Sequence, residues 1–549
     1  MSNPNLELIL FKVGEKFLQY VLNYNEPIVR LKKDHEYRFN KQQIEVIKRI
    51  ESLIHKCEIT STQNLHSTIK QHLFNFGKDF NNMRIHCGGI LIHESDDNKI
   101  LNYILEKATE YYPCLLLIEE KKSIFFNNNH LTHYFLFNKE EGKYVYNLIA
   151  DDKDFHNISL DNEDAFFSFI NYKLESNISV ICHKYSFLSN FIIRSFHNCC
   201  YRTKYDMQSF LEEIKYQFSC LKKIAKGELV EISNFCGIYG LKLDGIDEYE
   251  LSENIIIRNI NETNNPGIKN TTSIGSSGSR PKQIIGCTLE FKTKLNPTNE
   301  KAKIHSLDST IVLGNNDEHS KNENSDIFEK LIFKFISATV ISMKSIYAPF
   351  NVSFIDKDAP LSSLPSTINE KTYSSLSFFK NQELDEIKEW FELLDDIDLN
   401  YISLTLRRIT IAIYGREQPL DSILDTFIAW ETMFSSKIST TNSVITSIKS
   451  ILDRSDYRIS KTRLSKLYGL RSNIVHGSHK KHELLNVENS RKQIEIIKME
   501  VIEISIIILK ELIKDKSLLL KTPKERVEIL LKTKTITCKK CGSHKYEFT

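Results

Sequence analysis

The stretch Lys466-Leu-Tyr-Gly-Leu-Arg-Ser-Asn-Ile-Val-His-Gly477 combines a helical apolar pattern with side chains that can carry chemistry. Leu464, Leu467, Arg471 and Ile474 recur at steps of three and four residues, which predicts that they share one face of a helix. An arginine on an apolar face needs a partner or a ligand, because burying an unpaired charge is costly. Arg471 is therefore the first candidate functional residue.

His476 is the second candidate, because it comes five residues after Arg471 and directly before Gly477. Glycine at this position is typical of a helix end, and the negative end of the helix dipole favours a protonated imidazole there. Asn473 precedes His476 by three residues, so both can lie on one side of the helix. Arg471 and His476 are separated by about 140° on an ideal helix. They can meet one phosphate only if the last turn is distorted or two copies face each other.

The segment Arg471-Ser-Asn-Ile-Val-His476 resembles the R-x4-H motif of the HEPN ribonucleases. The wider LYGLRSNIVHG context is similar to the ApeA-like branch of that superfamily, which occurs in bacterial anti-phage defence proteins. The resemblance covers roughly residues 385–515. It implies metal-independent RNA cleavage that leaves a 2′,3′-cyclic phosphate and a 5′-OH, with no cofactor and a composite site at a dimer interface.

An acidic residue in a W-E-x-x-F context also occurs in ApeA-like proteins, and Trp430-Glu-Thr-Met-Phe434 matches it. Glu431 follows Phe427 by four residues and precedes Phe434 by three, which predicts that its carboxylate points inward. A carboxylate and a guanidinium in one small bundle compensate each other's burial. We therefore expect Glu431 to orient Arg471, although a surface or intrahelical pairing of Glu431 remains open.

Positive charge is concentrated around the motif, although the whole chain carries a net charge of only +2. Residues 455–482 contain seven Lys or Arg residues and one Asp, which gives +6. Such a run is often only a solvated surface, but around a candidate active site it indicates a phosphate-bearing ligand. The residues predicted to contact RNA are Arg463, Lys466, His479, Lys480 and Lys481.

A second motif, Cys538-x-x-Cys541-Gly, lies near the end of the sequence. Two thiolates at this spacing can bind one tetrahedral zinc ion, as in one knuckle of a zinc ribbon. His544 is a candidate third ligand, and a distant residue or a second chain would complete the site. A structural zinc site is the favoured interpretation, and a free or redox-active cysteine pair is the alternative.

The composition is that of an ordinary globular chain, with 41% apolar and 26% charged residues among 549. Eleven cysteines show no disulfide framework, no secretory signal pattern opens the sequence, and no apolar run is long enough to cross a bilayer. We therefore expect a cytoplasmic protein with reduced thiols and no membrane contact.

The predicted fold class is α+β with several domains. Its parts are an α/β sensor or regulatory region (1–227), a strand-rich module with mobile loops (228–375), an all-α HEPN bundle (380–515) and a basic tail (516–549). In the first region, short aromatic and β-branched runs predict strands. These runs are Met83–His93, Tyr112–Ile118, His133–Phe137 and Lys143–Leu148. A further strand is predicted at Leu331–Met343.

The same region leaves a different enzyme class open. Cys87, then His133, then Asn147 or Asp151 follow the chain order of papain-like enzymes, in which a thiolate, an imidazole and an orienting group converge. A buried structural cysteine is the favoured interpretation of Cys87, because no helix follows that would lower its pKa.

The resemblance thus implies an endoribonuclease effector of abortive infection, restrained by its N-terminal region until a trigger such as a phage protein arrives. The expected partners are RNA, including tRNA, and a second copy in a homodimer or higher oligomer. A non-catalytic HEPN scaffold that binds RNA or nucleotide, and a papain-like enzyme fused to a helical bundle, are the alternatives.

Overall fold

The fold is given by a computed structural model that divides into two compact units. The N-terminal unit comprises Met1–Ser325 and Val352–Phe378, and the helical unit comprises Asp326–Asn351 and Phe379–Thr549. The residues that the structure describes are 5–28, 39–63, 69–117, 139–155, 168–174, 179–183, 187–260, 285–295, 297–298, 326–342, 351–356, 366–367, 377–395, 397–398, 401–416, 418–435, 440–477, 483–485 and 490–535.

The N-terminal unit begins with helices that bury one aromatic-rich core. They are α1 (Leu6–Val13), α2 (Glu15–Val21), α3 (Lys41–Gln63), α4 (Ile69–Leu73), α5 (Gly77–His86), α6 (Lys99–Leu115), α7 (Lys139–Asp151), α8 (Phe187–Tyr201) and α9 (Met207–Ala225). The start of α6 shows how the sequence sets these limits, because the Asn98 side chain accepts hydrogen bonds from the Ile100 and Leu101 amides. The core runs from Ile9 to Ile232 and so continues through the boundary predicted at residue 227.

Strands follow in the second half of this unit. They are β1 (Ser168–Leu174), β2 (Ser179–His183), β3 (Val230–Tyr239), β4 (Leu241–Leu243), β5 (Glu248–Ser252), β6 (Ile255–Asn259), β7 (Ile285–Leu295), β8 (Pro297–Thr298), β9 (Asn351–Asp356), β10 (Ser366–Thr367) and β11 (Ser377–Phe379). A six-stranded sheet has the order β10-β9-β3-β7-β6-β5, and Cys236 of β3 lies opposite Leu289 of β7 in an antiparallel register. The mixed α+β class is therefore confirmed.

Three of the strands predicted in the first region are wrong. Met83–His93 begins inside α5, Tyr112–Ile118 begins inside α6, and Lys143–Leu148 lies inside α7. Their apolar residues recur at helical steps, as when Tyr112 and Leu115 are both buried, and short apolar runs do not distinguish the two structures by themselves. The predicted strand at 133–137 lies outside the described residues.

The papain-like arrangement loses its basis with these corrections. Cys87 caps the C-terminus of α5 and is buried, and this burial raises the pKa of its thiol. Asn147 and Asp151 lie on helix α7 rather than on or after a strand. His133 lies outside the described residues. A thiol with a raised pKa forms little of the thiolate that a nucleophilic cysteine needs.

A buried ion cluster joins helices and sheet within the N-terminal unit. Arg202 donates to Glu213 at 2.6 Å, to Glu290 at 2.6 Å and 3.0 Å, and to the Ser233 hydroxyl at 3.0 Å. Arg258 also contacts Glu290. Burial by itself raises the pKa of the Glu290 carboxyl, but the charge and hydrogen bonds of Arg202, together with Arg258, lower it to about 2. Each charged side chain of the cluster therefore has a partner of opposite charge.

The helical unit is built from amphipathic helices. They are α10 (Asp326–Ser342), α11 (Asn381–Asp395), α12 (Ser403–Thr410), α13 (Pro419–Phe434), α14 (Thr440–Leu452), α15 (Lys461–Val475), α16 (Ser490–Lys514), α17 (Lys516–Leu519) and α18 (Pro523–Thr535). A π-helical turn, Ile411–Gly415, follows α12. The strand predicted at Leu331–Met343 is wrong, because residues 331–342 lie in α10, which packs against α11 in this unit.

The last helix, α18, belongs to the same core. Thr522 and Glu525 form a capping box, since the Thr522 amide donates to Glu525 at 2.8 Å and the Glu525 amide donates to the Thr522 hydroxyl at 3.3 Å. Arg526 is 1% exposed and donates to three carbonyls, those of Leu518 (3.1 Å), Leu519 (2.6 Å) and Met433 (3.4 Å). The bundle thus extends beyond the boundary predicted at residue 515.

No helix among the described residues combines the length and the apolar run that a membrane span needs.

Candidate functional site

Helix α15 positions the motif because both of its ends are specified locally. The Ser460 side chain caps the start by accepting a hydrogen bond from the Arg463 amide at 3.1 Å. Leu464, Leu467 and Leu470 are fully buried. Gly477 ends the helix with φ = 68°, a conformation that glycine adopts without strain.

Arg471 and Glu431 form an ion pair between α15 and α13. Arg471 Nε lies 2.7 Å from Glu431 Oε1, and Arg471 Nη2 donates to Glu431 Oε2 at 3.1 Å. A hydrogen bond between two charged groups is stronger than one between neutral groups. The predicted pairing is therefore confirmed as a contact, and its catalytic role stays a prediction.

The pair is less buried than the sequence pattern indicates. The Arg471 side chain is 39% exposed and that of Glu431 is 21% exposed, since both lie at the edge of the apolar stripe. Of the five N–H bonds of the guanidinium, one on Nη2 donates to Glu431, and that of Nε is next to Glu431 Oε1 in the ion pair. The other three have no hydrogen-bond partner among the described residues. They are free to donate to an anionic ligand.

Tyr468 adds a second hydrogen bond to the same carboxylate. Its hydroxyl donates to Glu431 Oε1 at 2.5 Å. The Tyr468 ring lies nearly parallel to the Trp430 indole, with centroids 6.5 Å apart, and meets Phe427 edge-on at 5.8 Å. Trp430 in turn donates to the Ser505 hydroxyl at 2.7 Å. Tyr468 lies within the motif, but no sequence pattern predicts a role for it.

His476 and Asn473 lie beyond the ion pair on the same helix. His476 is the exposed C-cap residue, and its amide still donates to the Ser472 carbonyl at 3.0 Å. The regular hydrogen-bond ladder therefore reaches His476, and the offset of about 140° from Arg471 is kept. The imidazole makes no hydrogen bond to any described residue. Asn473 is half-buried between the two.

Two of the five predicted RNA-contacting residues are paired with carboxylates. Arg463 donates to Glu500 at 3.0 Å and 2.5 Å and is 31% exposed. Lys466 lies 3.1 Å from Glu483, and both side chains are exposed. Exposed pairs of this kind are weak and exchange partners easily. His479, Lys480 and Lys481 lie outside the described residues.

The predicted zinc ligands Cys538, Cys541 and His544 also lie outside the described residues. Within the part of the chain that is described, no group of three or more His, Cys, Asp or Glu side chains could hold a metal ion.

No protein-family model matches this chain, and no curated protein or solved structure matches it significantly. The HEPN interpretation therefore depends on the motif and on the geometry around it.

One charged cluster in the helical unit has no counterpart in the sequence predictions. Asp425 is 2% exposed and accepts from Arg408 at 2.8 Å and from Arg416 at 2.5 Å. The π-helical turn brings Arg416 back towards α13, which no sequence pattern indicates. The two arginines neutralise the buried carboxylate and join α12 to α13, so we assign this cluster to the fold.

Proposed function

We propose that this protein is a metal-independent endoribonuclease of the HEPN type. The observation that carries the proposal is the Arg471 guanidinium. It donates one hydrogen bond to Glu431 from Nη2 and contacts Glu431 Oε1 through Nε, and its other three N–H bonds are without partners among the described residues. A structural arginine uses its donors within the protein, whereas one that stabilises a phosphorane keeps donors for the substrate.

The chemistry follows from the two side chains. A general base removes the proton of an RNA 2′-OH, and the 2′-oxygen attacks the adjacent phosphorus. The P–O5′ bond then breaks, and a general acid protonates the leaving 5′-oxygen. Imidazole is the usual group for both proton transfers, and Arg471 offsets the negative charge of the phosphorane oxygens. The products are a 2′,3′-cyclic phosphate and a 5′-OH.

The helical geometry supports a site shared by two copies. The regular ladder up to His476 directs it and Arg471 to different sides of α15, so one copy does not aim both at one phosphate. Two copies facing each other supply two arginines and two histidines, with one histidine as base and the other as acid. We therefore propose a homodimer or higher oligomer as the active form.

The regulatory part of the proposal derives from the HEPN resemblance. A ribonuclease that degrades cellular RNA, including tRNA, must be restrained until it is needed. We assign the restraint to the N-terminal unit and its release to a trigger such as a phage protein. The expected setting is the bacterial cytoplasm during abortive infection.

The test compares the wild-type protein with His476→Ala on total RNA and on tRNA in the presence of EDTA. We expect the substitution to lower the cleavage rate by about 10²- to 10⁴-fold, because a general acid–base group contributes that much. The melting temperature stays unchanged, since the imidazole is exposed and bonds to no described residue. Mapping the cut ends identifies the cyclic phosphate.

His93→Ala is the matched control, because His93 is also exposed and lies in the other unit. Equal cleavage by the wild type and His476→Ala overturns the proposal. RNA binding without cleavage in both proteins favours the scaffold alternative instead.

A further inference from the structure

Two hydrogen bonds and one further ion-pair contact converge on the Glu431 carboxylate. Oε1 accepts from the Tyr468 hydroxyl at 2.5 Å and lies 2.7 Å from Arg471 Nε, while Oε2 accepts from Arg471 Nη2 at 3.1 Å. The ion pair sets the orientation of Arg471 relative to Glu431, but it does not set the position of the pair in the protein. Another group must hold the Glu431 carboxylate in place.

Tyr468 is suited to that task because its ring is packed in the apolar core. The residue is 6% exposed and its ring packs against Phe427 and Trp430, both fully buried. Trp430 is fixed in turn by its hydrogen bond to Ser505 on α16. The hydroxyl is therefore held by the core, whereas half-exposed ion pairs lose most of their rigidity to water and side-chain entropy.

We propose that Tyr468 is a positioning residue, whose hydroxyl fixes Glu431 and thereby holds the Arg471 guanidinium in the orientation that meets the scissile phosphate. The catalytic consequence rests on the proposed ribonuclease function. The positioning of Arg471 does not depend on it.

The protonation state of Tyr468 agrees with this role. Burial raises the pKa of the phenol, and the hydrogen bond to Glu431 raises it further. The hydroxyl therefore remains a donor throughout the pH range in which an imidazole changes its charge.

The kinetic test is Tyr468→Phe in the full chain, which removes the hydroxyl and keeps the ring. We expect kcat for RNA cleavage to fall about tenfold, because a hydrogen bond to a charged group is lost, with KM changed less than about twofold. Tyr457→Phe is the matched control, since Tyr457 is half-buried in the same unit and its hydroxyl bonds to no described residue. The control retains wild-type kcat.

The double variant with Glu431→Gln separates positioning from a general structural effect. If Tyr468 acts through Glu431, Tyr468→Phe produces no further loss of kcat in the Glu431→Gln background, because the two effects are coupled. Multiplied losses in the double variant, or a wild-type kcat for Tyr468→Phe, overturn the proposal.

A second measurement keeps the inference testable if the wild-type protein cleaves no RNA. The Nε–H signal of Arg471 in the ¹⁵N-arginine-labelled full chain is assigned by its absence in Arg471→Lys. The hydrogen exchange of this Nε–H becomes about tenfold faster in Tyr468→Phe if the hydroxyl helps to hold the ion pair of Arg471 and Glu431. An unchanged exchange rate shows that Tyr468 does not position Arg471, whatever the activity of the protein.

Discussion

Two arginines in this molecule bind carboxylates in opposite ways. Arg202 of the N-terminal unit is 20% exposed and directs four hydrogen bonds at two carboxylates and a hydroxyl. Arg471 of the helical unit is 39% exposed, donates one hydrogen bond to one carboxylate and contacts the same carboxylate through Nε. An arginine with most of its donors satisfied stabilises the fold, whereas one with most of them unused is available for a ligand.

The largest expected effect on stability comes from Arg202→Ala. Glu213 and Glu290 are 7% and 3% exposed, so the substitution leaves buried carboxylates without their main partner. We expect the free energy of unfolding to fall by about 3–5 kcal/mol, the usual cost of breaking a buried ion pair. Urea unfolding of both proteins measures it. A loss of unfolding free energy below 1 kcal/mol would mean that Arg202 stabilises the fold no more than Arg471 does.

Acid destabilisation offers a second test of the Arg202 cluster. The folded-state pKa of Glu290 is lowered to about 2 from an ordinary value of 4.5. Its contribution is therefore complete above about pH 5 and disappears as the pH falls towards 2, a total of about 3 kcal/mol. About three fifths of this contribution is lost by pH 3. Unfolding at pH 6 and pH 3 should show this loss in the wild type and not in Glu290→Gln, and parallel changes in the two proteins would contradict it.

Arg471→Ala should have a small effect on stability and a large effect on RNA cleavage, in contrast to the large stability loss of Arg202→Ala. Because Arg471 and Glu431 are half-exposed, we expect the free energy of unfolding to change by less than about 1 kcal/mol. RNA cleavage should fall by about 10²- to 10³-fold, since the charge on the phosphorane loses its stabiliser. Thermal unfolding and the RNA assay on the same preparation check both. A stability loss as large as that of Arg202→Ala would place Arg471 in the fold rather than in the site.

The smallest effect is expected at the exposed pair of Lys466 and Glu483. Lys466→Ala should change the free energy of unfolding by less than about 0.5 kcal/mol, as is usual for surface ion pairs. If the lysine contacts an RNA phosphate, the slope of log affinity against log salt should decrease by about one. Fluorescence anisotropy with labelled RNA in the His476→Ala background measures the slope. An unchanged slope excludes Lys466 from the RNA interface.

The sequence was most informative where its pattern was long and regular. The apolar stripes of α13 and α15 extend over several turns, and they brought Glu431 and Arg471 together correctly. The runs at Tyr112–Ile118 and Lys143–Leu148 are too short to distinguish a strand from a buried helix, and both were predicted as strands. The bond from Tyr468 to Glu431 could not be predicted, because it depends on how two helices rotate against each other. A tyrosine three residues before the arginine is the only sequence signal for it.

Arg526 determines how far the protein can be shortened. Its buried guanidinium bonds to carbonyls of Leu518, Leu519 and Met433, and Met433 lies two residues after Glu431 on the same helix. Cutting the chain at residue 515 would expose the Met433 carbonyl and the apolar surface beneath α18. The smallest fragment that keeps the ion pair on an intact helix should therefore extend to Thr535.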